Sequence, residues 1–220
     1  MQLDGPRGGP ARGGEPSELV VLLHGYGADG QDLIGLAPHL AQALPGARFV
    51  APDAPFPCEG APIGRQWFAI WDRSDEVRLA GARLAAQMLD AFLDEELAAA
   101  GLGDDRLALV GFSQGTMMAL HAGLRRPRPL AGIVGFSGRL IAPQLLGEEM
   151  TQRPPVLLVH GTADEVVPFA SMADAETALT AAGLGVETLA VPGVGHGIDG
   201  RGLTRAAEFL TGVLGQAAPG

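Results

Sequence analysis

Six short apolar runs separated by longer stretches of helical spacing limit this chain to a small set of folds. Residues 19–23, 47–51, 107–111, 132–136, 156–160 and 186–191 are each short, apolar and bounded by Gly, Pro or charge, which is how buried strands read. Their near-continuous hydrophobicity predicts burial on both faces. Between them, residues 31–43, 77–100, 114–125, 169–182 and 201–214 carry apolar side chains three and four positions apart, as helices do. Strand and helix in alternation predict an α/β fold, a mostly parallel sheet with helices on both faces. With 220 residues, one such domain accounts for residues 18–220. Residues 1–17, rich in Gly, Pro and Arg, are expected to be a flexible tail.

Residues 52–73 fit neither period. The stretch is crowded with Pro and Gly and holds both tryptophans, Trp67 and Trp71, together with Phe56 and Phe68. A connection this long inside a compact domain is usually a functional cover, so we expect a surface loop over a site.

Composition excludes several partners. The formal charge of -10, with no basic cluster to offset it locally, repels phosphate backbones, so nucleic acid is not an expected partner. Cys58 is the single cysteine, which rules out an intrachain disulfide and a thiolate zinc site. No apolar stretch approaches the roughly 20 residues that span a bilayer, and no secretory signal is visible, so a soluble cytoplasmic protein is expected. Exposed loop aromatics make a homodimer a reasonable expectation.

The run Leu107-Ala-Leu-Val-Gly-Phe-Ser-Gln-Gly places Gly111-Phe-Ser113-Gln-Gly115 between a buried strand and a helix. A serine on such a sharp turn projects its Oγ above the sheet, glycines two residues either side let the crowded backbone pass, and the helix aims its first N–H groups at the reacting centre. Ser113 is therefore the candidate nucleophile; the competing reading is a helix-capping serine with no chemistry.

A serine hydroxyl needs a base to take its proton. Of five histidines, His39 and His121 fall within helical patterns, while His24 and His160 end strands just before glycine, where an imidazole can pin a turn. His196, in the glycine-flanked loop VPGVGHGI after the last strand, is free to reach back toward Ser113. The acid should follow a late strand and lie between serine and histidine, which selects Asp164 in HGTADEVVP, with neighbouring Glu165 as its rival. The glycine-rich turn HGYGADG after the first strand is placed to supply a second oxyanion donor, so the backbone N–H groups of Tyr26 and Gln114 are the candidate oxyanion hole. The same glycines lack the pattern and the lysine of a phosphate cradle.

Together, HGYGADGQDL, GFSQG, HGTADEVVP and VPGVGHGI resemble the bacterial phospholipase/carboxylesterase family, relatives of the acyl-protein thioesterases, over nearly the whole of residues 19–214. The resemblance implies an α/β-hydrolase fold without a large cap domain. It implies a serine carboxylesterase acting on short- to medium-chain acyl esters through an acyl-serine intermediate, with no metal or organic cofactor. Thioester and lysophospholipid cleavage are the alternatives, and a non-catalytic hydrolase-fold binding protein is the alternative of another class. Its triad falls on Ser113, Asp164 and His196 and its oxyanion donors on Tyr26 and Gln114. Trp67 and Phe68 match a substrate-side aromatic pair, although large aromatics in such a loop also serve simply to anchor it to the core.

Overall fold

A computed structural model describes residues 2–61, 63–71 and 74–215. In chain order the elements are β1 (Arg7–Gly8), β2 (Glu18–Leu23), α1 (Gly30–Leu33), α2 (Ala37–Ala43), β3 (Ala47–Val50), β4 (Phe56–Pro57), β5 (Arg65–Gln66), α3 (Asp75–Ala100), β6 (Leu107–Phe112), α4 (Gln114–Gly123), β7 (Gly132–Phe136), α5 (Leu146–Glu149), β8 (Val156–Gly161), α6 (Ala170–Ala181), β9 (Val186–Val191) and α7 (Gly200–Leu214). The main sheet runs β1-β3-β2-β6-β7-β8-β9, parallel except where β1 pairs antiparallel with β3.

The period of two along the strands divides the core into two layers. Leu19, Val21 and Leu23 pack with Leu89, Leu93, Met118 and Leu179 on one face, against α3, α4 and α6. Val20 and Leu22 point the other way, to Leu40, Phe209 and Leu210 of α2 and α7. This is the three-layer arrangement that continuous apolar strands require. One strand departs from the expectation: β9 is the sheet edge, and its Glu187, Thr188 and Ala190 are exposed. No described helix is long and apolar enough to cross a membrane.

The start of the chain differs from the free tail its composition suggested. Arg7 and Gly8 pair with Val50 and Phe49. Arg7 donates to Glu96 at 2.9 and 2.7 Å, Arg12 N–H bonds Pro45 O, and Leu3 is buried. Long-range pairing and a clamp onto α3 hold a segment whose local sequence has no strand signal.

Residues 52–73, of which 62, 72 and 73 lie outside the described residues, are also more structured than a plain loop. Phe56 and Pro57 pair with Gln66 and Arg65, and Arg65 donates to the carbonyls of Ala54 and Pro55 at 2.8 and 2.9 Å.

Candidate active site

The turn at Ser113 is built by steric exclusion. Ser113 has φ 54° and ψ −115°, a strained combination for a residue with a side chain. A methyl group on Gly111 would collide with the backbone of Gly115 and Thr116, and one on Gly115 would strike the carbonyl of Leu23. Ser113 N–H donates to Phe136 O at 2.9 Å, locking the turn to β7. The Thr116 hydroxyl, which sequence reading passed over, lies 2.8 Å from the carbonyl oxygens of both Gly111 and Phe136 and shares its one proton between them. Strain at the serine is thus held by contacts on both sides of the turn.

Asp164 and His196 meet as their loop positions suggested. His196 Nδ1 lies 2.8 Å from Asp164 Oδ2. An ionised carboxylate only accepts, so Nδ1 carries the proton and Nε2 keeps its lone pair. The imidazole stands over Phe112, the residue before the serine, with ring centroids 4.9 Å apart. Ser113 Oγ makes no hydrogen bond to His196 in this conformation.

The carboxylate is fully occupied. Asp164 Oδ1 accepts the N–H groups of Val166 and Val167, both at 2.9 Å. His160 Nε2–H donates to Val167 O at 2.9 Å, which places the imidazole 3.2 Å from Asp164 Oδ2. Burial pushes the Asp164 carboxyl up, but the His196 hydrogen bond and the two backbone N–H groups outweigh it and hold the group below the usual carboxylate value. Glu165, by contrast, is exposed.

The His196 loop is latched, where its glycines had suggested free movement. Ala163 N–H bonds Val194 O at 2.9 Å and Gly193 N–H bonds the Thr162 hydroxyl at 3.0 Å, tying the histidine loop to the aspartate loop. Gly161 permits this approach, since a side chain there would collide with the carbonyl of Val194.

The turn after β2 closes on the serine from the other side. A methyl on Gly25 would come within 3.4 Å of Ser113 Cβ. His24 pins the turn: Nδ1–H donates to Gly25 O at 2.7 Å, and Nε2 accepts Ala54 N–H at 2.9 Å. That tautomer leaves no room for a second proton, and burial holds the imidazole below its usual pKa. The backbone N–H groups of Tyr26 and Gln114 have no hydrogen-bond partner among the described residues, which leaves both available.

Trp67 and Phe68 are placed differently from a substrate-facing pair. They are 0% and 1% exposed and belong to the α3/α4 core layer. Trp67 Nε1–H donates to His24 O at 3.0 Å. The Gln114 side chain grips the backbone beside them, its Oε1 accepting Trp67 N–H and its Nε2 donating to Phe68 O, both at 2.8 Å. The aromatics therefore anchor the loop, which leaves Ile63 (80% exposed), Trp71 (71%) and Ile70 (39%) as its outward apolar side chains among the described residues. The one signal for this role was an amide, with both donor and acceptor, directly after the serine.

A parallel sheet wrapped by helices, a strained serine between strand and helix, and a histidine held by an aspartate beyond the same C-terminal strand ends define an α/β hydrolase. Residues 11–214 match the profile of the family described as Phospholipase/Carboxylesterase, and the chain belongs to that family. It is a carboxylic ester hydrolase. Among its relatives, Esterase YpfH of Escherichia coli (strain K12) is 30% identical over 196 residues, covering 88% of this chain and 82% of that protein. Acyl-protein thioesterase 1 of Schizosaccharomyces pombe is 34% identical over 161 residues, 68% of this chain and 69% of that one. The crystal structure of esterase PE8 superposes with a TM-score of 0.92 at 45% identity, covering 97% of this chain and all of the other.

Proposed function

We propose that Ser113 is the nucleophile, His196 its general base and Asp164 the residue that orients the imidazole. The observation that carries this reading is the 2.8 Å bond from His196 Nδ1–H to a buried, fully bonded carboxylate at the C-terminal end of the sheet, where Ser113 is presented. Attack of Ser113 Oγ on the ester carbonyl passes the hydroxyl proton to His196 Nε2. The oxyanion forms opposite the unspent N–H groups of Tyr26 and Gln114, one such donor being worth about 3–4 kcal/mol. His196 then protonates the leaving alcohol, and water, activated by the same nitrogen, releases the acid and regenerates the serine. The missing Ser113–His196 hydrogen bond tightens as substrate arrives, a common difference between free and occupied sites.

The substrates in this reading are small esters of short- to medium-chain acids. Relatives named thioesterases favour adding a thioester to the test, since the same acyl-serine intermediate serves both. Residues 18–220 act as one catalytic unit, supported by the single continuous main sheet. We place the enzyme in the cytoplasm, a site compatible with its lone cysteine, and take Trp71 and Ile63 as the basis for a homodimer. Hydrolysis of p-nitrophenyl butyrate by the wild type and by Ser113→Ala tests the catalytic assignment. A loss of about a thousand-fold or more is expected, and residual activity well above that level removes Ser113 from the role.

A further inference from the structure

The segment leaving β7 runs directly beside the elbow and carries Arg139. Ser137 N–H donates to Val159 O at 2.9 Å, and a methyl on Gly138 would come within 3.0 Å of Ser113 O. The backbone that presents Arg139 is therefore fixed relative to the nucleophile. Arg139 itself is half-buried and lines a cleft of about 280 Å³ between this segment, the first turn of α3 and the start of α6.

All fifteen basic side chains of this chain are arginines, and their partners set Arg139 apart. Arg126 is clamped by Asp90, Asp94 and Asp104; Arg106 by Glu18; Arg125 by Glu149; Arg65 and Arg153 by backbone carbonyls. Arg78, in the same cleft, pairs with Asp75 at 2.8 Å. Among the described residues, Arg139 is the one arginine without a hydrogen bond or ion pair. Asp174, also on the cleft, is exposed and forms no ion pair with it.

A guanidinium presents five N–H donors in a plane, and those of Arg139, engaged by no acceptor among the described residues, stay open to the cleft and available to a ligand. Burial pulls the Arg139 pKa down, the Arg78 charge adds to this and Asp75 opposes it, yet arginine stays charged at neutral pH. An anion entering the cleft would gain an unspent charged donor there, and carboxylate and phosphate match the guanidinium fork in two parallel bonds.

We propose that Arg139 and its cleft bind a carboxylate or phosphate carried by the substrate, so that the enzyme selects esters with an anionic group near the scissile bond. This inference rests on Ser113 being the nucleophile. The overall charge of -10 gives anions no long-range attraction, so the selection acts locally, in the cleft.

Two matched pairs of esters test it and separate the sides on which the charge enters. Mono-p-nitrophenyl adipate against p-nitrophenyl hexanoate places the anion on the acyl side, and 4-(butyryloxy)phenyl phosphate against phenyl butyrate places it on the alcohol side. Wild-type enzyme is expected to favour the anionic member of at least one pair by about ten-fold in kcat/KM, the worth of one charge-assisted contact. Arg139→Gln should erase that preference and Arg139→Lys should keep part of it. No preference in the wild type, or an equal loss for both members of each pair in Arg139→Gln, overturns the proposal. Turnover of the neutral esters reports separately on Ser113. An enzyme that cleaves them without charge selection defeats only the Arg139 assignment, whereas one that cleaves none of the four defeats the catalytic reading beneath it.

Discussion

Gln114 holds Trp67: the side chain of the residue after Ser113 accepts the tryptophan's backbone N–H and donates to the next carbonyl, both at 2.8 Å. The backbone of Gln114 and its side chain therefore serve different ends. The first offers a free N–H beside Ser113, and the second fastens the segment at Trp67 and Phe68 to the elbow helix, so one residue sets both the loop position and the donor proposed for the oxyanion.

Replacing Gln114 by Ala keeps the N–H and removes the clamp. Two buried backbone groups lose their partners, at about 1–3 kcal/mol each. Urea unfolding should show a loss of that order. Because the loop then shifts over the whole site, kcat/KM should fall for acetate and octanoate esters alike.

Trp67→Ala follows the same logic with a larger packing loss. A fully buried tryptophan cut to alanine costs about 3–5 kcal/mol. The melting temperature should drop, and p-nitrophenyl esters from acetate to octanoate should lose activity by similar factors. A loss that grows with chain length would instead put Trp67 in contact with the acyl group.

Asp164→Asn should reduce kcat by several orders of magnitude with little change in KM, since an amide cannot stabilise the imidazolium and can favour the wrong tautomer. Glu165→Gln, altering an exposed neighbour, should stay near wild type. The reverse ranking would move the acid by one position.

His121 gives a pH dependence of stability. Burial, with Arg125 adding to it, lowers its pKa to about 4 in the folded protein, and its Nδ1 has no hydrogen-bond partner. Between about 6.5 and 4 the unfolded chain takes up a proton that the folded one refuses, so this group removes up to about 1.4 kcal/mol of stability per pH unit on acidification. Denaturant titrations at pH 7 and pH 5 should show the difference, and His121→Leu should flatten it.

The strands and helices were legible because each satisfies its own period: Leu19 to Leu23 alternate between two apolar layers, and apolar positions repeat every three or four residues through α3 and α7. Ser113, Asp164 and His196 could be picked from strand ends and chain order, and the structure brings the last two together. What stayed hidden depends on distant partners. Arg7 and Gly8 form a strand only because β3 offers an edge and Glu96 a counter-ion. Residues 67 and 68 sit in a segment rich in Pro and Gly, and their burial follows from the Gln114 clamp and the Trp67–His24 bond, neither of which has a sequence period. The exposure of β9 likewise follows from its place at the sheet edge.

The most direct test of Ser113 as nucleophile is covalent. Folded wild-type enzyme treated with a fluorophosphonate should gain the mass of one phosphonyl group, with peptide mapping placing it on Ser113, and Ser113→Ala should stay unlabelled and inactive toward p-nitrophenyl butyrate. Label on another residue, or ester hydrolysis by an enzyme whose Ser113 takes no label, contradicts the assignment.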